Sequence, residues 1–444
     1  MGKNNSASSA DAIHLTLITN ILVTGIGVAT GVITARILGP VMVGQFNAIQ
    51  VWPLIIASVA QMGLTEALVY FVSRDTEHAK SYVLLAELMA TISSIIFIGI
   101  GWELVPFLLS SQTKEIVEAS RVFLIVSIIY SLGLSHSALR GVQEFKLWNV
   151  FRVLPGIVWL IVLVTLDVVG EANPIKLSRL FLLSMFLVAV IRTSVSFARL
   201  KGRVMLRIKY AGKMLRFGLP SVLTTVPQTV NLRLDQFFII ALLPARDLGF
   251  YVVAVAWSGG VSPFLSAVGA VMFPKVSALP DNGKLNLLKT GLQGSALVGT
   301  IIGLLITLLA PIGIPIVFGT KFDNSIPSAL FLVPAGVILA WAGVAEEGLR
   351  GLGKPKVVLY AEIIGAVVTV IALISLLHPF GIVGAAIASL LGYSIVALVC
   401  AFALSRYTET KLTQFIFPSI DTIKLIIKKT DDLIRKITRK KGVI

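Results

Sequence analysis

Apolar runs of about 20 residues recur along nearly the whole chain, each closed by a short polar break. A helix needs about that length of apolar sequence to cross a bilayer. The pattern predicts twelve spans, roughly 13–37, 45–72, 81–105, 116–139, 148–169, 177–199, 217–243, 249–272, 286–310, 326–348, 357–377 and 382–405. Spans five, nine and eleven read as purely apolar, suited to lipid or to packing. Elsewhere polar residues advance by three or four and so share one helix face. Span one carries Thr16, Asn20, Thr24, Gly27, Gly31 and Thr34, and span seven carries Ser221, Thr224, Thr225, Gln228, Asn231 and Asp235. Span two offers Gln50, Ser58, Gln61 and Thr65, and span eight Ser258, Ser262 and Ser266. Small and hydroxyl residues serve helix packing. Asn, Gln and Asp are larger and more polar than packing needs, so the four stripes predict a hydrophilic cavity.

Spans one and seven, and two and eight, are six apart, and the chain repeats itself at that interval. Leu139-Arg140-Gly141 and Lys146 recur as Leu349-Arg350-Gly351 and Lys356, 210 residues later. At a shift near 205, Leu38 meets Leu243, Gly44 meets Gly249, Phe46 meets Tyr251 and Trp52 meets Trp257. Six spans per repeat is an even number, so the halves run the same way through the membrane, as in transporters built from parallel repeats. The predicted organisation is a six-helix lobe over 1–198, a basic linker over 199–216, a second six-helix lobe over 217–405 and a tail over 406–444. The stretch GLRGLGKPK at 348–356 imitates a nucleotide-binding loop, but Pro355 stands where the magnesium-binding Ser or Thr belongs and no strand precedes it. Arg140 and Arg350 fit helix C-termini instead, where a cation meets the negative end of the dipole.

Composition agrees with a membrane class. The 444 residues are 56% hydrophobic and 14% charged, against about 25% charged in soluble domains, and the mean hydropathy is +0.92. Of the 38 Lys and Arg, 29 fall on the side of the N-terminus and six (Arg36, Lys114, Lys176, Arg179, Arg246, Lys321) on the other. Basic residues mark the cytoplasmic side, so both termini are expected in the cytoplasm, in a cell or inner membrane. The net charge of +16 thereby becomes a topology signal rather than a sign of nucleic-acid binding. The linker 199–216 holds seven basic residues and no acid; it suits anionic head groups or a solvated loop equally. After Pro418, Ile420, Ile423, Ile426, Ile427, Leu433, Ile434 and Ile437 recur near helical spacing among Lys and Arg, which predicts an amphipathic helix on the inner leaflet or docked on the protein itself. The first segment lacks a basic leader and a small-residue cleavage site, so it is expected to stay. Cys400 is alone and the four histidines are far apart. No metal set, cofactor motif or nucleophile–base pair emerges, and no enzyme is expected.

Charges inside spans are costly and therefore informative. Three basic residues remain there: Arg121, Arg192 and Arg233. Arg121 and Arg192 stand near span ends and could snorkel to head groups. Arg233 and Asp235 lie past the middle of span seven, two residues apart, so they do not face each other. Arg36 lies near the outer end of span one, where an interfacial anchor and a substrate contact are both open. Glu66, Glu87, Glu346 and Glu362 sit toward inner span ends; gating and plain solvation both fit them.

The stretches ARILGPVMVGQF at 35–46, QMGLTEALVYFVSR at 61–74 and NLRLDQFFIIALLPARDLGFY at 231–251 resemble the polysaccharide flippases of the multidrug/oligosaccharidyl-lipid/polysaccharide exporter superfamily. The resemblance implies an all-α polytopic fold, with two six-helix lobes around a central cavity that opens alternately. It implies transfer of a polyprenyl-linked oligosaccharide to the outer leaflet for cell-surface polysaccharide such as O-antigen, in company with polymerase or glycosyltransferase machinery. Such a substrate joins an anionic phosphate to a polar glycan, which costs heavily to carry through hydrocarbon. An Arg fork suits the phosphate. Arg233 and then Arg36 are the candidates, with Asn20, Thr24, Gln61, Gln228 and Asn231 for the head group. Asp235 is the candidate for a coupling Na+ or H+. A multidrug exporter of the same superfamily is the alternative, disfavoured because span one has no acid. A membrane glycosyltransferase is disfavoured because the first outer loop has none either.

Overall fold

The computed structural model describes residues 4–170, 173–420 and 424. The expected tail helix therefore lies outside the described residues. Every regular element among those described is a helix. In order they are α1 (Asn4–Ala60), α2 (Leu64–Arg74), α3 (Ala79–Leu108), α4 (Lys114–Phe123), α5 (Val126–Leu132), α6 (Ser135–Gly141), α7 (Phe145–Val169) and α8 (Pro174–Arg199). Beyond the linker follow α9 (Ala211–Asn231), α10 (Leu234–Leu242), α11 (Ala245–Ser258), α12 (Ser262–Ala278), α13 (Asp281–Phe318), α14 (Ile326–Gly351), α15 (Pro355–Tyr407) and the short α16 (Thr413–Ile416).

Nine helical stretches among the described residues are long and apolar enough to cross a membrane, which makes this a polytopic membrane protein. Two of them, Ile18–Arg74 and Pro355–Tyr407, run for 57 and 53 residues. A straight helix of that length would reach about 80 Å, against about 30 Å of hydrocarbon. Each is broken by a glycine within two residues of a proline. Gly39 (φ 70, ψ 176) precedes Pro40, and Gly381 (φ 53, ψ −137) follows Pro379. Only glycine enters such backbone cheaply. The breaks fall where the hydropathy pattern interrupts spans one and eleven.

The L-R-G repeat is a duplicated helix stop. In α6 the N–H of Glu144 donates to the Leu139 carbonyl (2.9 Å) and that of Gln143 to Arg140 (3.2 Å). At the end of α14, Lys354 donates to Leu349 (2.9 Å) and Gly353 to Arg350 (3.0 Å). The residue in left-handed backbone is Gln143 (φ 63) in one and Gly353 (φ 75) in the other. This is the Schellman pattern, which satisfies the last helical carbonyls. The glycine of each motif lets a neighbouring helix approach. A Cβ on Gly141 would stand 3.1 Å from Val72, and one on Gly351 2.8 Å from Val276. Both arginines occupy a last helical turn, as expected.

By contact the chain divides into two compact units, residues 1–256 with 313–325, and 257–312 with 326–444. In the first, Leu64, Leu68, Val72, Val83, Ala86, Leu134, Ala138 and Met214 form a core. Of the linker, residues 200–207 are non-helical and 211–216 already belong to α9; the non-helical part is tied down by Lys80 N–H donating to Lys201 O (3.3 Å) and Ser81 Oγ to Arg203 O (3.1 Å). Its Val204, Met205, Leu206 and Ile208 stay exposed. Residues 217–256 join this unit through glycine seams. A Cβ on Gly44 would come within 1.6 Å of the Ala245 carbonyl oxygen, one on Gly249 within 1.9 Å of Pro40 O, and one on Gly63 within 2.1 Å of Gly218 O. Gly44 and Gly249, matched by the repeat, thus meet backbone to backbone. In the second unit Leu265, Met272, Val276, Leu288, Leu292, Val333, Leu349, Cys400 and Phe415 pack together. Gln293 of α13 ties down the start of the tail: it donates to Gln414 O (2.7 Å) and accepts from Ser419 Oγ (3.2 Å).

Candidate functional site

The polar stripe of span one survives in α1. Asn20, Thr24, Gly27 and Gly31 are exposed, while Thr34 is buried. Asn20 does not stand alone. Its Oδ1 accepts a 2.6 Å hydrogen bond from Nη2 of Arg152, on α7. Asn149, one turn earlier, donates to Thr16 Oγ1 (3.3 Å) and so joins α7 to the same stripe. Trp148 lies under the Arg152 guanidinium (4.8 Å to the ring centroid) and under that of Arg140 (5.7 Å). Span five is thus not purely apolar. Arg152 lies two turns into α7, about 10 Å along the helix. It lies four residues inside predicted span five, close enough to the basic stretch before it to be counted with the loop residues.

Arg192 departs from expectation too. It does not snorkel. Its Nη2 donates to the Phe151 carbonyl inside the first unit. Arg121 behaves as a surface anchor: it pairs with Glu118 (2.7 Å), donates to Trp102 O (3.0 Å) and lies over the Trp102 ring. Among the described residues no carboxylate pairs with Arg140, Arg152 or Arg192. The α6–α8 region of the stripe therefore presents cations and amides, a surface suited to an anionic group.

Arg233 and Asp235 occupy a break. α9 ends at Asn231 and α10 begins at Leu234, with Arg233 (φ −132, ψ 1) at the junction. Arg233 is exposed and its Nη1 donates to Gln236 Oε1 (3.1 Å). No carboxylate of the described residues pairs with it. Asp235 is buried, 3% exposed. Its Oδ1 accepts from the Gln236 N–H (2.7 Å) and its Oδ2 from the Tyr251 hydroxyl (2.5 Å). As the spacing predicts, the two charges look different ways. Asn231 is buried beside them, and the Gln228 side chain lies outside the described residues.

Arg36 has a use of its own. Nε donates to Val317 O (2.8 Å) and Nη2 to Ile316 O (2.6 Å), the last carbonyls of α13. A cation there meets orphan acceptors and the negative helix end. A substrate contact from Arg36 would have to use Nη1 or release that helix. Gln61 is half-buried and accepts from Thr65 Oγ1 (3.1 Å). Of the four glutamates, Glu66 is exposed, whereas Glu87, Glu346 and Glu362 are buried. Solvation therefore does not describe the last three. Glu87 accepts from Ser135 N–H (3.2 Å), and Arg350 lies 3.6 Å from Glu346.

The described residues thus combine a polytopic helical fold with a polar stripe whose arginines no described carboxylate pairs. Residues 33–327 match the model of the polysaccharide biosynthesis protein family, and the chain belongs to that family. Among curated relatives, it is 26% identical over 193 residues to an uncharacterized membrane protein of Methanocaldococcus jannaschii, covering 44% of this chain and 46% of that one. It is 24% identical over 211 residues to the probable low-salt glycan biosynthesis flippase Agl15 of Haloferax volcanii, covering 46% and 44%. The chain thus aligns with less than half the length of these relatives. Among solved structures, the lipid II flippase MurJ in an inward closed conformation matches with a TM-score of 0.74 at 16% identity, over 94% of this chain and 93% of that one. An inward-facing multidrug resistance transporter of the MATE family, described as of the MOP superfamily, matches with a TM-score of 0.72 at 16% identity, over 87% and 94%. The two folds match almost equally well, so the family model, not the fold, bears out the polysaccharide flippase resemblance.

Proposed function

We propose that the protein moves a polyprenyl-phosphate-linked glycan from the inner to the outer leaflet by alternating access. On this reading twelve crossings form two six-helix lobes, with the cracked helices α1 and α15 each crossing twice and α9–α10 once. The observation that carries the proposal is the cationic stripe of Arg152, Asn20 and Arg140, which no described carboxylate neutralises, in a family of polysaccharide biosynthesis proteins. The arginines receive the lipid phosphate, the amides and hydroxyls of α1 the sugars, and the tail stays in lipid. Translocation of a lipid-linked oligosaccharide by reconstituted vesicles tests it. Arg152→Ala should slow transport about tenfold, the value of one charge-assisted hydrogen bond. Unchanged transport in that variant at matched protein level would take Arg152 out of the site, whereas drug efflux without lipid transport in the wild type would support the multidrug alternative.

The proposed topology places the linker in the cytoplasm. Gly202 is a poor labelling site, because a Cβ there would meet Glu77 O at 2.0 Å. Met205 is 50% exposed and suits better. In a Cys400→Ala background, Met205→Cys should resist impermeant thiol reagents in intact cells and Ser110→Cys should react. The opposite pattern inverts the topology.

A further inference from the structure

The first unit holds a half-open cavity of about 150 Å³ whose polar lining is Gln61, Thr65, Tyr130, His136 and the half-buried Arg192. Neither a carboxylate nor a lysine lines it. What it offers is donors. Arg192 spends Nη2 on the Phe151 carbonyl, but its Nε is buried and meets no acceptor among the described residues. Gln61 accepts from Thr65 through Oε1, which leaves its amide hydrogens to give. The Tyr130 hydroxyl has no hydrogen-bond partner among the described residues, and it lies within electrostatic range of Arg192. His136 faces the Gly133 carbonyl through Nδ1 at 2.5 Å, which places a hydrogen on that nitrogen. Arg152 and Arg192 both act electrostatically on His136. The nearby acid, Glu87, is engaged with Ser135.

A cation held away from water is costly unless a negative partner joins it. A donor left without an acceptor adds to that cost. Here both occur in one cavity, and no carboxylate among the described residues lines it. We infer that the cavity binds a small inorganic anion of the chloride class, held by Arg192 with Tyr130 and Gln61. The volume fits. A water occupies about 30 Å³ of liquid, so the space takes such an anion with a few waters and is too small for a sugar phosphate. The site is distinct from the half-exposed Arg152 stripe and does not depend on what the protein transports.

The test uses the full-length protein in detergent, with chloride replaced stepwise by gluconate at constant ionic strength and thermal unfolding followed. A ligand bound to the folded state raises the melting temperature saturably. The expected rise is roughly 3–5 °C, with bromide able to replace chloride. Tyr130→Phe keeps the ring and removes one donor, so half-saturation should move about tenfold higher. Arg192→Met should lose the response; should that variant fail to fold, Tyr130→Phe decides. A wild type indifferent to chloride overturns the inference, as does an unchanged half-saturation in Tyr130→Phe. Arg152→Ala should keep a saturable response even where transport is impaired. Loss of the response in Arg152→Ala would move the anion to the outer stripe and overturn the assignment.

Discussion

Arg233→Ala should lower translocation of a lipid-linked oligosaccharide by ten- to a hundredfold while the protein still reaches the membrane. The loss corresponds to one charge-assisted contact with phosphate, about 1.5–3 kcal/mol. The side chain is exposed at the α9–α10 break and, among the described residues, holds only Gln236, so its removal exposes no described buried carboxylate. A structural ion pair would behave otherwise, because its loss would strand an acid and destabilise the fold. Arg233→Lys should restore part of the rate, since a point charge replaces a fork. Asp235→Asn separates the second role. The buried carboxylate accepts from Tyr251 and from the Gln236 N–H, which fixes its orientation; on the proposed reading it meets the coupling cation. In that variant the dependence of transport on sodium or pH should change. Wild-type rates and ion dependence in both Arg233→Ala and Asp235→Asn, at equal protein levels, would take the α9–α10 break out of the mechanism.

Gly249→Val should stop transport almost completely. The added Cβ would meet Pro40 O at 1.9 Å, and a carbonyl of the main chain cannot rotate aside as a side chain can. The helices must part, at the cost of overpacking, about 1–3 kcal/mol, or roughly a five- to hundredfold bias against the closed seam. A carrier that must open and close this seam is then held on one side of its cycle. Ala245→Cys, at the other half of the seam, should become more reactive to thiol reagents in the Gly249→Val background. Equal reactivity with normal transport would show that the seam does not move.

Much of this was legible in the chain, and the failures share a cause. Hydropathy and repeat spacing find the breaks at Gly39 and Gly381, the duplicated helix stop and the Gly44–Gly249 match, because each is a local demand on backbone or a period in sequence. Arg152 escapes because, four residues inside predicted span five, it reads with the basic residues of the preceding loop, although it stands two turns into α7. Arg192 escaped because a span end permits both snorkelling and an inward turn, and only the Phe151 carbonyl decides between them. Arg36 was visible as a charge, but its acceptors at 316 and 317 lie 280 residues away. No one-dimensional pattern carries that pairing.

The duplicated stops bear on the order in which the molecule assembles. Each joins neighbouring helices, α6 to α7 and α14 to α15, through a turn of three residues. Contacts so near in sequence form early, because little chain entropy is lost in closing them. The seam joins Pro40 and Gly44 to Gly249 and Ala245, some 200 residues on, and it must wait until the linker and α9 have been made. The helical hairpins are thus complete in a growing chain before the seam exists. A nascent chain that stops at residue 198 would hold the α6–α7 hairpin and an open Gly44 face, stable in its local parts and unable to close.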